Sequence, residues 1–109
     1  MQQKTILITN DDGIHARGIE PLAKALSRMG ADVWVVAPDR ERSAVSHAIT
    51  LREPLRLTPA GHQRFACSGT PVDCTYIGVV HVCPRTPDLV ISGMNNGYNV
   101  GTDIFYSGT

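Results

Sequence analysis

The 109-residue chain lacks the features that mark several large classes of protein. Its ten basic and ten acidic residues cancel, which argues against a surface that coats a nucleic-acid duplex. Aromatic residues make up only 6% of the sequence, too few for a base-stacking platform. No apolar run approaches the roughly 20 residues that a membrane helix needs. We therefore expect neither a nucleic-acid duplex nor a membrane as a partner.

Cysteine is also scarce, with Cys67, Cys74 and Cys83 as the full set. Their odd number and the absence of C-x-x-C spacing favour neither a disulfide framework nor a zinc site. Such cysteines are typical of small buried side chains in a reducing compartment. The first strand is predicted to begin at Thr5, which leaves no room for a signal peptide after Met1. We therefore expect a cytoplasmic protein.

The first third of the chain has the pattern of a βαβ unit. Thr5–Thr9 and Asp32–Ala37 are near-continuous apolar runs, as in parallel strands buried on both faces. Between them, Ile19–Met29 has apolar residues at helical spacing and is predicted to pair Glu20 with Lys24 on its exposed side. Gly30 is suited to end this helix.

The rest of the chain is predicted to complete one α/β domain over residues 1–109. Short strands are predicted at His47–Leu51, Leu55–Thr58 and Arg64–Cys67, as a β excursion from the main layer. Thr70 begins a capping-box helix that ends at Pro84, and Leu89–Ser92 is a further core strand. The apolar face of this helix is predicted to consist of Val72, Tyr76, Val79, Val80 and Cys83. The predicted fold is a Rossmann-like parallel sheet with helices on both faces, truncated at its C-terminal side.

Two adjacent carboxylates follow the first predicted strand, in Asn10-Asp11-Asp12-Gly13. Ligands of open α/β sheets bind at the carboxyl edge, where these side chains are expected. Adjacent carboxylates repel each other unless a cation lies between them, and hard divalent ions prefer oxygen ligands. The alternative is a solvated turn, since Asp-Gly is a common turn signal. His15 lies close enough in sequence to support such a site from outside the ligand set.

A second polar stretch, Ser92–Thr109, follows the last predicted strand and is rich in glycine and asparagine. Glycines let backbone N–H groups turn toward an anion, and asparagine amides serve a metal or a phosphate oxygen. The alternative is a surface loop. Neither a Walker loop nor a Rossmann fingerprint is present.

Four motifs now stand in order: N-D-D-G at Asn10–Gly13, A-P-D-R-E-R-S at Ala37–Ser43, G-T-P at Gly69–Pro71, and S-G-x-N-x-G-x-N-x-G-x-D-x-x-Y-S-G-T at Ser92–Thr109. In this respect the chain resembles the SurE survival-protein family. The resemblance covers essentially the whole chain and implies a metal-dependent nucleotidase that hydrolyses nucleoside 5′- and 3′-monophosphates. Members continue past the final S-G-T, and their full-length form is expected to be a homo-oligomer.

The resemblance also implies roles for individual residues. Asp11 and Asp12 would be catalytic and would hold one Mg²⁺ or Mn²⁺ per subunit together with Ser43 and Asn95. Asn95, Ser107, Gly108 and Thr109 would bind the substrate phosphate. From chemistry alone Ser43 is equally a turn serine, Asn95 a turn asparagine, and Ser107–Thr109 a helix N-cap. Attack by water and attack by an aspartate both remain open.

Two other functions compete with this interpretation. A receiver-like signalling domain also has an acidic pair after its first strand, but it needs an acceptor aspartate where this chain has Ser92-Gly93, and a later lysine. No lysine follows Lys24. The other candidate is a fragment that binds metal and phosphate without efficient turnover, because Ser107–Thr109 would be a free chain end that is not preorganised.

Overall fold

Strand β1, Thr5–Asn10, is buried at all six of its residues. The computed structural model describes residues 3–39 and 54–93, together with the backbone of strand Thr102–Tyr106. The remaining elements, in chain order, are α1 (Ile19–Arg28), β2 (Asp32–Pro38), β3 (Leu57–Gly61), β4 (Arg64–Cys67), α2 (Pro71–Ile77), a π-helical turn (Gly78–Val82), β5 (Leu89–Gly93) and β6 (Thr102–Tyr106). Predictions for β1, α1, β2, β4 and β5 are confirmed, with ends that agree or differ by a single residue.

The strands form one sheet in the order β3-β4-β2-β1-β5-β6. Strands β4, β2, β1 and β5 are parallel to one another, whereas β3 and β6 run antiparallel to their neighbours. The parallel centre confirms the predicted Rossmann-like sheet. The antiparallel strands β3 and β6 are its two edge strands.

Two parts of the sheet differ in detail from expectation. The predicted β excursion is the β3–β4 hairpin, and it stays in the main layer because β4 pairs in parallel with β2. Its first strand begins at Leu57, while the predicted strand His47–Leu51 lies outside the described residues. Strand β6 falls in a stretch interpreted from its glycines and asparagines as loop. Its Ile104-Phe105-Tyr106 segment has the residue types that favour strands.

Alternate residues of the central strands enter two separate cores. Ile6 and Ile8 pack with Ile19 and Ala23 of α1 on one face of the sheet, whereas Leu7 packs with Cys74 of α2 on the other. Full burial of one such aliphatic side chain contributes roughly 1.5–3 kcal/mol. The two cores confirm helices on both faces and explain why the strands read as continuous apolar runs.

Helix α1 is tied to the sheet by an ion pair that the sequence did not predict. Arg64 Nε donates to Glu20 Oε2 at 2.8 Å, and Arg64 Nη2 donates to Glu20 Oε1 at 3.1 Å. Hydrogen bonding to the guanidinium holds the pKa of Glu20 below its usual value. The expected partner, Lys24, makes only a smaller electrostatic contribution. A two-point contact from β4 therefore replaces the predicted pair within the helix.

Helix α2 begins as its sequence predicts. Thr70 Oγ1 accepts a hydrogen bond from the Asp73 N–H at 3.2 Å, and Asp73 Oδ2 accepts one from the Thr70 N–H at 2.9 Å. Pro71 occupies the first turn, where no N–H donor is needed. The capping box is confirmed.

The predicted buried face of α2 is wrong at three of its five residues, whereas Val79 and Cys83 pack against the core as predicted. Val72, Tyr76 and Val80 are 76%, 61% and 50% exposed, whereas Cys74 is fully buried and Gly78 faces Leu7. A Cβ atom on Gly78 would lie 2.8 Å from Leu7 Cδ2. Because Cys74 and Gly78 are small, the helix can approach the sheet closely on the side that carries them. That side therefore packs against the sheet, although its side chains have less apolar bulk than those on the exposed side. Periodicity alone could not select it, since apolar residues surround the helix.

All three cysteines are free thiols, as predicted. Cys67 and Cys74 are fully buried in the core on the α2 side of the sheet, and Cys83 packs against the same core. Burial, and to a smaller degree the Asp32 carboxylate, raises the pKa of the Cys83 thiol to about 11. Since the thiolate is the reactive form, Cys83 is expected to react slowly in the native chain.

The close approach at Gly78 gives a stability prediction. In Gly78→Ala the added methyl gains about 1 kcal/mol of helix propensity but overpacks Leu7 at a cost of about 1–3 kcal/mol. We expect a net loss of about 1 kcal/mol in the free energy of unfolding, measured by urea denaturation.

Gly18→Ala is the matched control, because a Cβ atom there would meet nothing within 4 Å and the backbone is in the right-handed helical region. This variant should be neutral or more stable by about 0.4–1 kcal/mol. A Gly78→Ala protein as stable as Gly18→Ala would show that the contact with Leu7 does not constrain α2.

Candidate functional site

Three parallel strands end at the same edge of the sheet, and acidic residues follow two of them. Asp11 and Asp12 come directly after β1, and Asp39 comes directly after β2. Strand β5 ends at Gly93, the register partner of Asn10. Because β2 lies on one side of β1 and β5 on the other, the chain order reverses between β1 and β5. Ligands of open α/β sheets bind at such a switch point.

A side chain fixes the turn that contains the two carboxylates. Asn10 Oδ1 accepts a hydrogen bond from the Gly13 N–H at 3.0 Å, and Asn10 Nδ2 donates to the Gly13 carbonyl at 3.0 Å. We call this pair of bonds the Asn10–Gly13 latch. Gly13 has a φ of 109°, which favours glycine, and the Ile14 N–H donates to the Pro38 carbonyl at 2.8 Å. Asp11 and Asp12 are therefore presented by a backbone fastened at both ends.

Asp12 lines a cavity of about 610 Å³ at this edge. The other charged or titratable residues of its wall are His15 and Arg17, from the loop before α1, and Asp39, after β2. Asp11 and Asp12 are both partly exposed. The structure thus brings the predicted acidic pair and His15 to one edge of the sheet.

A family model described as "Survival protein SurE" matches residues 6–109. The chain belongs to the SurE family.

Curated relatives and a solved structure agree with this membership. The chain is 53% identical to the 5′-nucleotidase SurE of Caldanaerobacter subterraneus subsp. tengcongensis, over 100% of the chain and 44% of that protein. It is 51% identical to the 5′-nucleotidase SurE of Brucella anthropi, over 95% of the chain and 40% of that protein. The crystal structure of the SurE protein from Aquifex aeolicus is similar to it with a TM-score of 0.71 and 42% identity, over 82% of the chain and 36% of that structure.

The SurE-family chain matches only part of the length of its relatives. It spans 40–44% of the length of these two curated relatives, so it corresponds to part of such a protein. In the part that the structure describes, no helix is long and apolar enough to cross a membrane.

Several of the predicted site residues lie outside the described residues: Ser43, Asn95, Ser107, Gly108 and Thr109. Within residues 3–39 and 54–93, no group of three or more His, Cys, Asp or Glu side chains is placed to hold a metal ion. The four-residue ligand set therefore stays a prediction, of which the structure describes the two carboxylates.

The described strands fix the two ends of the segment that contains Asn95. The chain leaves the sheet at Gly93 and re-enters it at Thr102, and these two residues are register partners. Gly93 is also the partner of Asn10, so the chain leaves and re-enters the sheet at the edge that carries the acidic turn. By contrast, Tyr106 pairs with Leu89 at the other end of β5. This pair lies four strand residues, or about 13 Å, from the edge at which Gly93 pairs with Thr102.

Asp39 and Arg17 line the same cavity as Asp12, but sequence reasoning did not single out either of them. Asp39 follows a predicted strand, and its position at the edge was available from the βαβ pattern. Arg17 carries no such signal, because it reaches the cavity only through the path of the loop between Gly13 and α1.

The Asn10–Gly13 latch gives a second prediction. Asn10→Ala leaves the Gly13 N–H and carbonyl without their partner at a position where Asn10 is only 6% exposed. We expect the free energy of unfolding to fall by about 1–3 kcal/mol in metal-free buffer. Asp11→Asn, in the same turn but outside the latch, should change it by less than about 0.5 kcal/mol. Equal losses in the two variants would contradict the latch.

Proposed function

We propose that this chain carries the metal and phosphate site of a divalent-metal-dependent phosphomonoesterase, which hydrolyses nucleoside 5′- and 3′-monophosphates to nucleoside and phosphate. The observation that carries the proposal is the acidic turn itself. Two carboxylates fixed by the Asn10–Gly13 latch lie at the switch point of a parallel sheet, in a chain whose relatives are named 5′-nucleotidase SurE.

The described donors fit a hard divalent cation. Asp11 and Asp12 supply carboxylate oxygens on consecutive, partly exposed residues, and no cysteine lies at this turn to favour zinc. In the proposal, Ser43 and Asn95 complete an oxygen-only set for one Mg²⁺ or Mn²⁺ per subunit. When bound, such a cation supplies Lewis-acid stabilisation of charge on the phosphoryl oxygens.

Phosphate binding is assigned first to Asn95, because its segment leaves the sheet at Gly93, the register partner of Asn10, and returns at Thr102 on the same edge. The family resemblance adds Ser107, Gly108 and Thr109 as N–H and hydroxyl donors to the phosphate. Donors aimed at the position where charge develops supply much of the rate enhancement of phosphoryl transfer. Asp11 and Asp12 would also orient the attacking water, with a carboxylate oxygen accepting its proton.

We also propose a cytoplasmic location. Cys67, Cys74 and Cys83 are all free thiols, with none paired in a disulfide. Free thiols of this kind suit a compartment in which disulfides are rare.

Metal binding can be tested separately from turnover. Asp12→Asn removes one of the two proposed carboxylate ligands, so we expect the affinity for Mn²⁺ to fall at least tenfold in a calorimetric titration. The fold should be retained, since Asn keeps the shape of the side chain. Asp88→Asn is the matched control, because Asp88 accepts hydrogen bonds from Thr5 and Arg85 before β5, away from the acidic turn. Equal affinities in wild type and Asp12→Asn would overturn the metal assignment.

The reaction is tested by phosphate release from a nucleoside monophosphate. We expect release at a low rate that requires Mn²⁺ and disappears with EDTA or in Asp12→Asn. Incubation with acetyl phosphate should leave no stable phosphoprotein. Release that is insensitive to EDTA would contradict the proposal, and a stable phosphoprotein would favour the receiver-like function.

A further inference from the structure

The cavity beside Asp12 is lined both by acidic residues and by an arginine. The carboxylates of Asp12 and Asp39 follow the ends of β1 and β2, whereas Arg17 and His15 come from the loop that leads into α1. The volume of about 610 Å³ falls within the roughly 300–1,000 Å³ that is usual for small-molecule sites. A ligand that fills it therefore meets both Asp12 and Arg17.

Arg17 differs from two other arginines of the described chain in its surroundings. Arg64 is paired with Glu20 and Arg85 with Asp88, each at 2.8 Å. Arg17 is exposed and has no ion-pair or hydrogen-bond partner in residues 3–39 and 54–93. Its guanidinium retains all five N–H donors for a ligand, in a geometry that matches phosphate.

The other residues that line the cavity indicate which chemical class of ligand it can bind. Besides the four charged or titratable residues the wall consists of Gly13, Ala16 and Gly18, with no aromatic or large apolar side chain in the described lining. Such a wall offers nothing on which a base would stack. It suits a polar, anionic group instead.

We propose that this cavity is a subsite for a second phosphate of the substrate and that Arg17 is the residue that recognises it. The inference rests on the proposed function, which places the scissile phosphate at Asp11 and Asp12. It deepens that function by naming a substrate class: nucleosides with two separate phosphates, such as 3′,5′-bisphosphates, bind more tightly than monophosphates.

The test compares the binding of adenosine 3′,5′-bisphosphate and adenosine 5′-monophosphate by calorimetry, with saturating Mn²⁺ and with phosphate release monitored. The wild-type chain should bind the bisphosphate roughly tenfold more tightly, as expected for one additional charged hydrogen-bonded contact. Arg17→Gln should reduce this ratio to about one while leaving the affinity for the monophosphate unchanged. Arg28→Gln makes the same change of charge at the far end of α1 and should keep the ratio.

The other outcomes separate the two proposals. Equal affinities of wild type for both nucleotides would overturn the subsite and leave the proposed function intact. Equal weakening of both nucleotides in Arg17→Gln would show that Arg17 contacts the scissile phosphate, which also overturns the subsite. If neither nucleotide bound to a chain that binds Mn²⁺, the proposed function and the subsite would both be overturned.

Discussion

Burial of β1 on both faces is the constraint on which the rest of the structure depends. A strand with six consecutive buried residues needs a layer on each side, and neighbours that satisfy its backbone N–H and carbonyl groups. Helix α1 covers Ile6 and Ile8, α2 covers Leu7, and β2 and β5 complete the hydrogen bonding. Because β1 is central, the residues that follow it emerge at the middle of the carboxyl edge.

The position of the acidic turn follows from this arrangement. A turn after an edge strand would have a neighbour on one side only, whereas Asp11 and Asp12 have the end of β2 on one side and that of β5 on the other. The Ile14 N–H bonds to the Pro38 carbonyl, and Asn10 is the register partner of Gly93. Rigid strands therefore position the carboxylates, and the loops supply the variable part of the edge. This division is typical of sites built on α/β sheets.

The sequence predicted those features whose cause is local or periodic. Apolar runs identified β1, β2 and β5, and the capping box identified the start of α2, because these signals lie within a few consecutive residues. It failed where the outcome depends on tertiary contacts. The buried side of α2 was decided by how closely Gly78 approaches Leu7, and the partner of Glu20 was decided by the position of Arg64 on a distant strand.

The same limit applies to the candidate site. The acidic pair was recognisable because two carboxylates follow a strand, and the family motifs supplied Ser43 and Asn95. Arg17 was not recognisable, because an exposed arginine in a loop is usually solvated and only the folded path of the backbone places it in the cavity. Local patterns thus indicate the position of a candidate site more readily than the neighbouring groups that line it.

The pairing of Gly93 with Thr102 has a further consequence, for the entropy of closing the chain between them into a loop. Two paired strands already hold the ends of this connection together, so the entropy of closing the loop is lost on folding and not when a ligand binds. A ligand that engages the connection also favours the paired state of its two ends, by thermodynamic linkage. Binding of such a ligand would then slow hydrogen exchange at the amides shared by β5 and β6, as far back from the edge as Leu89 and Tyr106.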